Sequence, residues 1–373
     1  MNYIRFDRSV DLPRLGMGAM RLPAIDDSPE TIDYAKASEI IDYCIDHGVN
    51  YFDTSYIYHG GKSETFLGEA LAQYPRDSYF LADKFNLQAN PDYRAQFADQ
   101  LSRLNTDRID FYLLHGVQDQ TVAPMLSCGC VEYFDGLKAV GKIRYLGFSF
   151  HGSPDGLLRM LGAYAWDFVQ IQLNYFDWMY GDAKALYEIL DQANMPVMVM
   201  EPLRGGRLAS LTIEASAMLN DAMPGRSIAS WGMRWLMDLP RVAVVLSGMS
   251  DIAQVEENIV TFSEYSPLDE AQKEILQKAC ALFRPSVSVA CTNCRYCCND
   301  CPKGLDIPRM LSVFNEIKLG GDWRISFLDS LPEGRHPGDC IGCGSCAGHC
   351  PQGFDIPAYI GELAKISERM KRS

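Results

Sequence analysis

Two hydrophobic patterns alternate along residues 1–283. Short, mainly apolar runs are separated by longer stretches in which apolar residues recur every three or four positions. The first pattern is typical of buried strands and the second of amphipathic helices. The predicted strands are Arg14–Met20, Asn50–Thr54, Tyr79–Lys84, Ile109–His115, Tyr145–Phe150, Phe168–Leu173, Val197–Glu201 and Val242–Ser247. The clearest predicted helices are Ala37–His47, Ser63–Tyr74, Tyr93–Leu104, Val131–Val140 and Lys184–Ala193.

Eight strands that alternate with helices predict an α/β protein with a (β/α)8 barrel over residues 1–283, because that fold usually takes about 250 residues. A doubly wound open sheet is the alternative. It is disfavoured because no G-x-G-x-x-G follows the first strand. Residues 284–373 are predicted to form a second, small and mainly α-helical domain.

Eight cysteines of this second domain lie in two runs of identical spacing, C-x2-C-x2-C-x3-C-P. This is the spacing of bacterial ferredoxins, in which the last cysteine of each run ligates the cluster of the other run. The sequence therefore predicts two 4Fe–4S clusters. One would be held by Cys291, Cys294, Cys297 and Cys350, and the other by Cys340, Cys343, Cys346 and Cys301.

Zinc is the competing ligand for such cysteines, since C-x2-C pairs also bind Zn²⁺. Zinc motifs usually separate two such pairs by many residues, so the compact repeated runs favour clusters. Cys298 is interpreted as a non-ligand. The remaining cysteines are interpreted as ordinary thiols: Cys44, Cys128, Cys130 and Cys280.

The string Cys-Pro-x-Gly-x-Asp-Ile-Pro occurs twice, at Cys301–Pro308 and at Cys350–Pro357. Each copy leads into apolar residues at helical spacing, and proline suits the first turn of a helix. Residues 284–366 thus resemble the α-helical type of ferredoxin domain.

Ionisable residues stand at the ends of three successive strands of the predicted barrel, where such barrels carry their active sites. Asp53, Lys84 and His115 are one βα unit apart, and Tyr58 follows in the loop after Asp53. Each residue alone could be structural, but together they predict a catalytic site. A lysine cation favours the tyrosine phenolate, the aspartate would balance the lysine, and the histidine could orient a carbonyl oxygen.

These residues and their surrounding motifs resemble the aldo-keto reductase family. The matching strings include Tyr51–Tyr58, Ala82–Phe85 and Asp110–His115, and the resemblance extends over residues 1–262. It implies a nicotinamide cofactor across the barrel mouth, with Ser149 and Gln170 at its carboxamide and Glu257 and Asn258 at its adenine. Further expected cofactor contacts are Gly18, Met200, Glu201, Leu203, Gly248 and Gln254.

Some positions depart from the family pattern. Met200 stands where many members carry an aromatic residue that stacks on the nicotinamide ring. Gly248 and Gln254 stand where members that bind a 2′-phosphate carry a lysine and an arginine. The absence of a cation at these positions argues against tight NADP selectivity and leaves NAD, weak nicotinamide binding or a flavin open. Substrate-pocket walls are expected at Met20–Ser28, Gly116–Gly129 and Phe176–Gly181.

Composition excludes several function classes. The formal net charge is −14 and there is no long basic run, which argues against a nucleic-acid or anionic-membrane partner. No apolar stretch approaches the roughly 18 residues of a membrane helix, and the N-terminus has no secretory pattern. A cytoplasmic protein is therefore expected.

The leading hypothesis is an oxidoreductase that acts on a small carbonyl or alcohol and exchanges electrons with a redox partner through its clusters. Hydride transfer moves two electrons together whereas each cluster passes one, so a flavin is an obvious mediator. The alternative is a non-catalytic electron carrier, or a sensor of nicotinamide or redox state.

Overall fold

A computed structural model describes residues 1–26, 31–318, 325, 328 and 331–372. The chain divides into two compact units. The first comprises Met1–Pro202 and Ala229–Asp269, and the second comprises Leu203–Ile228 and Glu270–Ser373. The second unit thus includes two segments, Leu203–Ile228 and residues 270–283, that the predicted boundary at 283/284 assigns to the barrel. That boundary stays a prediction, since compactness does not test where a domain begins.

The described strands are β1 Tyr3–Arg5, β2 Asp11–Pro13, β3 Leu15–Gly18, β4 Tyr51–Asp53, β5 Phe80–Phe85, β6 Ile109–Val117, β7 Ile143–Phe150, β8 Phe168–Gln172, β9 Val197–Met200 and β10 Val242–Ser247. Eight of them form a closed parallel barrel in the first unit, in the order β10-β3-β4-β5-β6-β7-β8-β9, which confirms the predicted (β/α)8 fold. All six residues of β10 are buried, as expected for parallel strands with helices on their outer face.

An antiparallel hairpin of β1 and β2 precedes the barrel. Its residues Val10 and Leu12 belong to the same buried cluster as Tyr51, Phe111 and Phe168. The hairpin therefore adds apolar side chains to the barrel core. The sequence pattern did not reveal it, because two three-residue strands are too short to show a period of two.

The helices are α1 Tyr34–Asp46, α2 Lys62–Leu71, α3 Tyr93–Arg103, α4 Asp119–Ser127, α5 Cys130–Ala139, α6 Pro154–Ala163, α7 Tyr175–Tyr180, α8 Ala183–Gln192, α9 Ile213–Ala222, α10 Ile228–Met237, α11 Ile252–Ser263, α12 Glu270–Phe283, α13 Tyr296–Asn299, α14 Ile307–Lys318, α15 Ser345–Gly348 and α16 Ile356–Arg372. Side-chain caps fix several starts: Asp33 accepts from the backbone N–H of Lys36, and Asp92 accepts from Arg94 and Ala95. Such caps satisfy backbone donors that have no partner within the helix.

The second unit packs around a small apolar core. Helices α14 and α16 begin at the isoleucines of the two Asp-Ile-Pro strings, and Ile307, Phe314, Ile356 and Ile360 are buried together. The cysteines Cys297 and Cys346 are buried in the same core. Within the described residues, no helix has the length and apolar character needed to cross a membrane.

Candidate functional site

The barrel brings the four predicted catalytic residues into one buried group. Asp53 is the last residue of β4, Lys84 lies in β5 and His115 lies in β6. Tyr58 opens a short 3-10 turn that follows β4. Their exposed fractions are 3% for Asp53, 0% for Lys84, 8% for His115 and 7% for Tyr58. Strands β4, β5 and β6 are parallel neighbours. Residues one βα unit apart in the sequence therefore lie close together at the same end of the barrel.

Lys84 and Asp53 form a buried ion pair. The Nζ atom of Lys84 donates to Oδ1 of Asp53 at 2.6 Å and also to the carbonyl oxygen of Thr54. Burial raises the pKa of Asp53, and the neighbouring Lys84 cation opposes that rise. A buried pair of this kind is costly to split, because the remaining charge would have no counter-charge.

Tyr58 and His115 stand beside this pair. Nζ of Lys84 is 4.8 Å from the ring centroid of Tyr58, and the rings of Tyr58 and His115 meet edge to face at 5.9 Å. Burial, with help from the Lys84 charge, holds the pKa of His115 well below its usual value. His115 is therefore neutral near pH 7, and Nδ1 of its ring lies 2.9 Å from Oγ of Ser55.

Ser55 and Asn86 complete this group and were missed by the sequence reasoning. Ser55 is fully buried, and Nδ2 of Asn86 lies 3.5 Å from Nδ1 of His115. The available signal was position, since each follows a predicted catalytic residue by two places, Asp53 and Lys84 respectively.

A second buried network of hydrogen bonds fixes the backbone of Lys84. Its N–H donates to Oδ1 of Asp83 at 2.8 Å, and its carbonyl accepts from Nε2 of Gln100 at 3.0 Å. Gln100 also donates to Glu64, which pairs with Arg103 at 2.9 Å. Burial, together with the Glu64 carboxylate, raises the pKa of Asp83 well above its usual range. These contacts fix the direction in which the Lys84 side chain enters the barrel.

The two residues predicted to bind the nicotinamide carboxamide are neighbours on strands β7 and β8. Ser149 is paired with Gln170 in the sheet register, and both side chains are at most 2% exposed. Oγ of Ser149 accepts from the backbone N–H of Gly116 at 2.8 Å, and Nε2 of Gln170 contacts Sδ of Met200 at 3.6 Å. Oε1 of Gln170 is buried and has no hydrogen-bond donor within the described part of the chain. A primary amide placed there would supply the missing donor.

The aliphatic part of the Arg21 side chain lies against Gly248. A Cβ atom built on Gly248 would lie 3.0–3.1 Å from the side chain of Arg21, which comes from the loop after β3. Arg21 pairs with Glu201 at 3.0 Å. The sequence did not reveal this neighbour, because Arg21 reaches Gly248 from a different strand–helix loop. Gly18, at the end of β3, lies close to the carbonyl oxygen of Ser247 beside Gly248.

The other predicted cofactor residues have these positions. Asn258 is buried and its Nδ2 lies 3.2 Å from Oγ of Ser247. Gln254 accepts from the backbone N–H of Ser250 at the start of α11. Burial raises the pKa of Glu257. Leu203 falls in the second compact unit. In the predicted pocket loop Met20–Ser28, Asp27 and Ser28 lie outside the described residues.

The eight predicted cluster ligands line two separate cavities. Cavity 1 is lined by Cys291, Cys294, Cys297 and Cys350, among other residues. Cavity 2 is lined by Cys301, Cys340, Cys343 and Cys346, among other residues. This is the crossed grouping expected from the spacing. Cys298 is not among the residues that line either cavity.

The donor sets fit iron–sulfur clusters. Each cavity offers four thiols and an otherwise largely apolar wall, including Ile356, which both cavities share. A 4Fe–4S cluster takes four cysteine thiolates. Within the described ranges, no three His, Cys, Asp or Glu side chains converge tightly enough for a single metal ion. The four thiols of each cavity are spread around its wall.

Two family models match the chain. One described as "Aldo/keto reductase family" matches residues 14–280, and one described as "4Fe-4S dicluster domain" matches residues 290–354. Together they account for the barrel and for both cysteine runs.

Similar proteins come from bacteria and plants. The chain is 25% identical to the oxidoreductase YqkF of Bacillus subtilis, over 72% of this chain and 96% of that protein. It is 27% identical to L-galactose dehydrogenase of Arabidopsis thaliana, over 64% and 81% of the two chains. An aldo-keto reductase structure from Bacillus halodurans, in its holo form, is 26% identical. It superposes with a TM-score of 0.61 over 75% of this chain and 96% of that chain.

Proposed function

The chain belongs to the aldo/keto reductase family, and from that premise we propose that it reduces a small carbonyl compound, or oxidises the matching alcohol, at Asp53, Tyr58, Lys84 and His115. Its family makes it an oxidoreductase. The observation that carries the proposal is the buried Lys84–Asp53 pair with its lysine 4.8 Å from the ring of Tyr58. Burial of the Lys84 cation is explained if this charge stabilises the deprotonated form of the Tyr58 phenol.

Tyr58 is the proton donor in this proposal. A phenol has an ordinary pKa of about 10 and is a weak acid near neutral pH. The Lys84 cation stabilises the phenolate that remains when the proton has moved to the substrate oxygen. Asp53 keeps Lys84 charged in a site where burial would otherwise favour its neutral form. His115, neutral because of burial and the Lys84 charge, hydrogen-bonds the substrate oxygen and sets its position.

A nicotinamide cofactor, NAD or NADP, supplies the hydride when bound. The residues present fit it, because Oε1 of Gln170 is a buried acceptor without a donor within the described residues and a carboxamide N–H would provide one. Ser149, beside it in the sheet register, would orient the same amide. Gly18, Met200, Glu201, Leu203, Gly248, Gln254, Glu257 and Asn258 remain proposed contacts for the rest of the cofactor.

Replacement of the proton donor tests the catalytic proposal. In Tyr58→Phe, kcat/KM for carbonyl reduction should fall by about 10²- to 10⁴-fold, the usual contribution of general acid catalysis. Tyr56→Phe is the matched control. It lies two residues away in the same loop, and its hydroxyl donates to Asp99 on α3 instead. The test measures NADH and NADPH oxidation with a panel of small aldehydes under anaerobic conditions. Turnover that survives Tyr58→Phe unchanged would show that the catalytic assignment is wrong.

We also propose that the second domain binds two 4Fe–4S clusters that exchange electrons with a protein partner. The clusters supply one-electron transfer, and the eight cysteines of cavities 1 and 2 hold them. Because hydride carries two electrons, a flavin, on this chain or on the partner, would be the mediator between the two chemistries. Assays of iron, sulfide, flavin and nicotinamide on one anaerobic sample test this composition, with eight irons per chain expected.

One observation favours a second candidate, a non-catalytic electron carrier or redox sensor. The guanidinium of Arg21, whose aliphatic carbons lie against Gly248, forms an ion pair with Glu201, so its charge is partly balanced before any cofactor phosphate binds. Anaerobic titration with NADH and NADPH separates the two functions. Carbonyl-dependent oxidation of the cofactor supports the enzyme. Bleaching of the cluster absorbance without any carbonyl turnover supports the carrier.

A further inference from the structure

A second histidine lies at the same end of the barrel as the candidate catalytic group. His151 directly follows β7, and its backbone N–H donates to the carbonyl oxygen of Val117 at 2.8 Å. Val117 is the last residue of β6 and lies two positions after His115. Because neighbouring strands of a sheet are only about 4.8 Å apart, the two histidines occupy adjacent strand ends.

The alternation of side chains along β7 directs His151 toward the interior of the barrel. The ring of Phe150 lies 3.1 Å from the position that a Cβ atom on Gly156 of α6 would occupy, so it points outward into the helix layer. Phe148 contacts Phe150 edge to face on this outer side. Successive residues of a strand point to opposite faces, so Ser149 points inward. The bond of His151 to β6 extends this alternation by two residues, and its ring points inward as well.

The ring of His151 is neutral and is open to a ligand. The side chain is partly exposed, although burial lowers its pKa to about 4. A side chain with both properties lies in a recess that a small molecule can enter. Its ring forms no hydrogen bond within the described part of the chain. A neutral imidazole has one N–H donor and one acceptor nitrogen, so it matches a hydroxyl group and offers no charge to a carboxylate or a phosphate.

This recess adjoins His115. Burial, then the Lys84 charge and then His151 lower the pKa of His115, which places the two imidazoles within electrostatic range of each other. Gly116 follows His115 with a φ of 64°, and among the described residues beyond its chain neighbours no atom lies within 4 Å of the position of a Cβ on it. The described residues therefore leave space beside His115.

We propose that His151 is a substrate-binding residue, which hydrogen-bonds a hydroxyl group on the carbon next to the reacting carbonyl and makes the site prefer 2-hydroxy aldehydes and 2-hydroxy ketones. The inference rests on the proposed function, in which His115 holds the reacting oxygen. Because His151 stands at the adjacent strand end, a second oxygen within its reach must lie close to the first, which selects the neighbouring carbon. His151 thus determines which carbonyl compound binds and takes no part in the proton transfer.

A matched pair of ketones measures this preference. Hydroxyacetone and 2-butanone have the same number of heavy atoms and differ only in a hydroxyl or a methyl group at one end. Their intrinsic reactivities are the same for every variant, so a change in the ratio of their kcat/KM values reports on the site. His151→Phe keeps a planar ring without hydrogen-bonding groups. It should lower the ratio by about two- to tenfold, the usual contribution of one neutral hydrogen bond, through a loss in kcat/KM for hydroxyacetone alone.

The full chain is used, purified anaerobically, and three further variants separate hydrogen bonding from packing. His151→Gln retains a donor and an acceptor on its amide and should restore most of the ratio. His151→Leu removes both hydrogen-bonding groups without adding volume and should lower the ratio as His151→Phe does, even where phenylalanine is too bulky to fold. His47→Phe changes an exposed histidine at the end of α1 and should leave the ratio unchanged.

The outcomes distinguish this inference from the proposed function. A chain that oxidises NADH or NADPH with neither ketone and with no small aldehyde would overturn both. With turnover present, an unchanged ratio in His151→Phe and His151→Leu would overturn this inference alone, since a purely structural role would lower kcat/KM for both ketones together. A rise in KM for the nicotinamide that is equal with the two ketones would also overturn it, because it would assign His151 to the cofactor.

Discussion

The candidate catalytic group and the cluster cavities bury reactive side chains in different ways. In the barrel, Asp53, Lys84 and His115 come from three strands and are 8% exposed or less. In the second unit, the predicted cluster ligands come from two short cysteine runs, and their exposure ranges from the buried Cys297 to the exposed Cys343. The barrel holds its candidate catalytic group on a large apolar core formed by side chains of its strands. The second unit has a small core in which the cysteines are themselves part of the packing, so its order should depend on the clusters.

Removal of iron should therefore affect the order of the second unit much more than that of the barrel, and this is the largest effect expected. Anaerobic chelation should abolish hydrogen-exchange protection in α13–α16 and leave that of strands β5 and β6 nearly unchanged, because metal binding in small domains contributes directly to folding free energy. Hydrogen exchange followed by mass spectrometry measures both regions in one sample. Reconstitution with iron and sulfide is the control. Equal protection with and without iron in α13–α16 would contradict this comparison.

Splitting the buried ion pair tests the rigidity of the barrel side. Lys84→Met leaves the Asp53 carboxylate buried and uncompensated, and should lower the free energy of unfolding of the barrel by about 3–5 kcal/mol. The double variant Asp53→Asn/Lys84→Met should lose clearly less, because no charge remains. Urea unfolding of the barrel transition measures both.

An exposed ion pair provides the control for this cycle. Arg5 and Asp11 form a pair on the hairpin with exposed side-chain fractions of 63% and 48%. Arg5→Met should change the free energy of unfolding by less than about 1 kcal/mol. A Lys84→Met effect as small as that of Arg5→Met would show that the buried pair does not act as a unit.

The comparison also explains how much could be predicted from sequence. The cavities could be grouped residue by residue, because cysteine ligation depends on spacing within two short runs, and the structure lines each cavity with the expected four thiols. The barrel and its buried group could be predicted because strand ends recur at one βα spacing. Two contacts could not be predicted in this way, that of Arg21 with Gly248 and that of Arg204 with Gln352. Each joins residues more than a hundred positions apart, and no local sequence period encodes it.

Protonation of His115 should make the barrel acid-sensitive. Its pKa is depressed in the folded state by burial and by Lys84, so the unfolded chain takes up the proton first, near pH 6.5. The stability it contributes is fully present above that pH and is lost as the pH falls toward the folded pKa, by up to about 1.4 kcal/mol per pH unit.

Unfolding free energies at about pH 7.5 and about pH 5.5 test this dependence. The loss between the two pH values should be smaller in His115→Gln than in the unmodified chain. The matched control is His47→Gln, which changes an exposed histidine at the end of α1. It should leave the decrease in unfolding free energy between the two pH values unchanged. An unchanged loss in His115→Gln would contradict the assignment of a buried neutral imidazole.

The smallest expected effect lies within the cluster domain, between two adjacent cysteines. Cys297 lines cavity 1 and is buried, whereas Cys298 lines neither cavity and packs partly buried at the edge of the apolar core. Both lie in the single turn of α13, and successive residues of a helix point about 100° apart, so the turn directs only one of them toward cavity 1. Cys298→Ser should keep eight irons per chain and both one-electron waves of an anaerobic redox titration. Cys297→Ser should lose iron or alter the wave of the cluster in cavity 1. Equal loss of iron in the two variants would make Cys298 a ligand and would remove the one-to-one match between the cysteine spacing and the cavities.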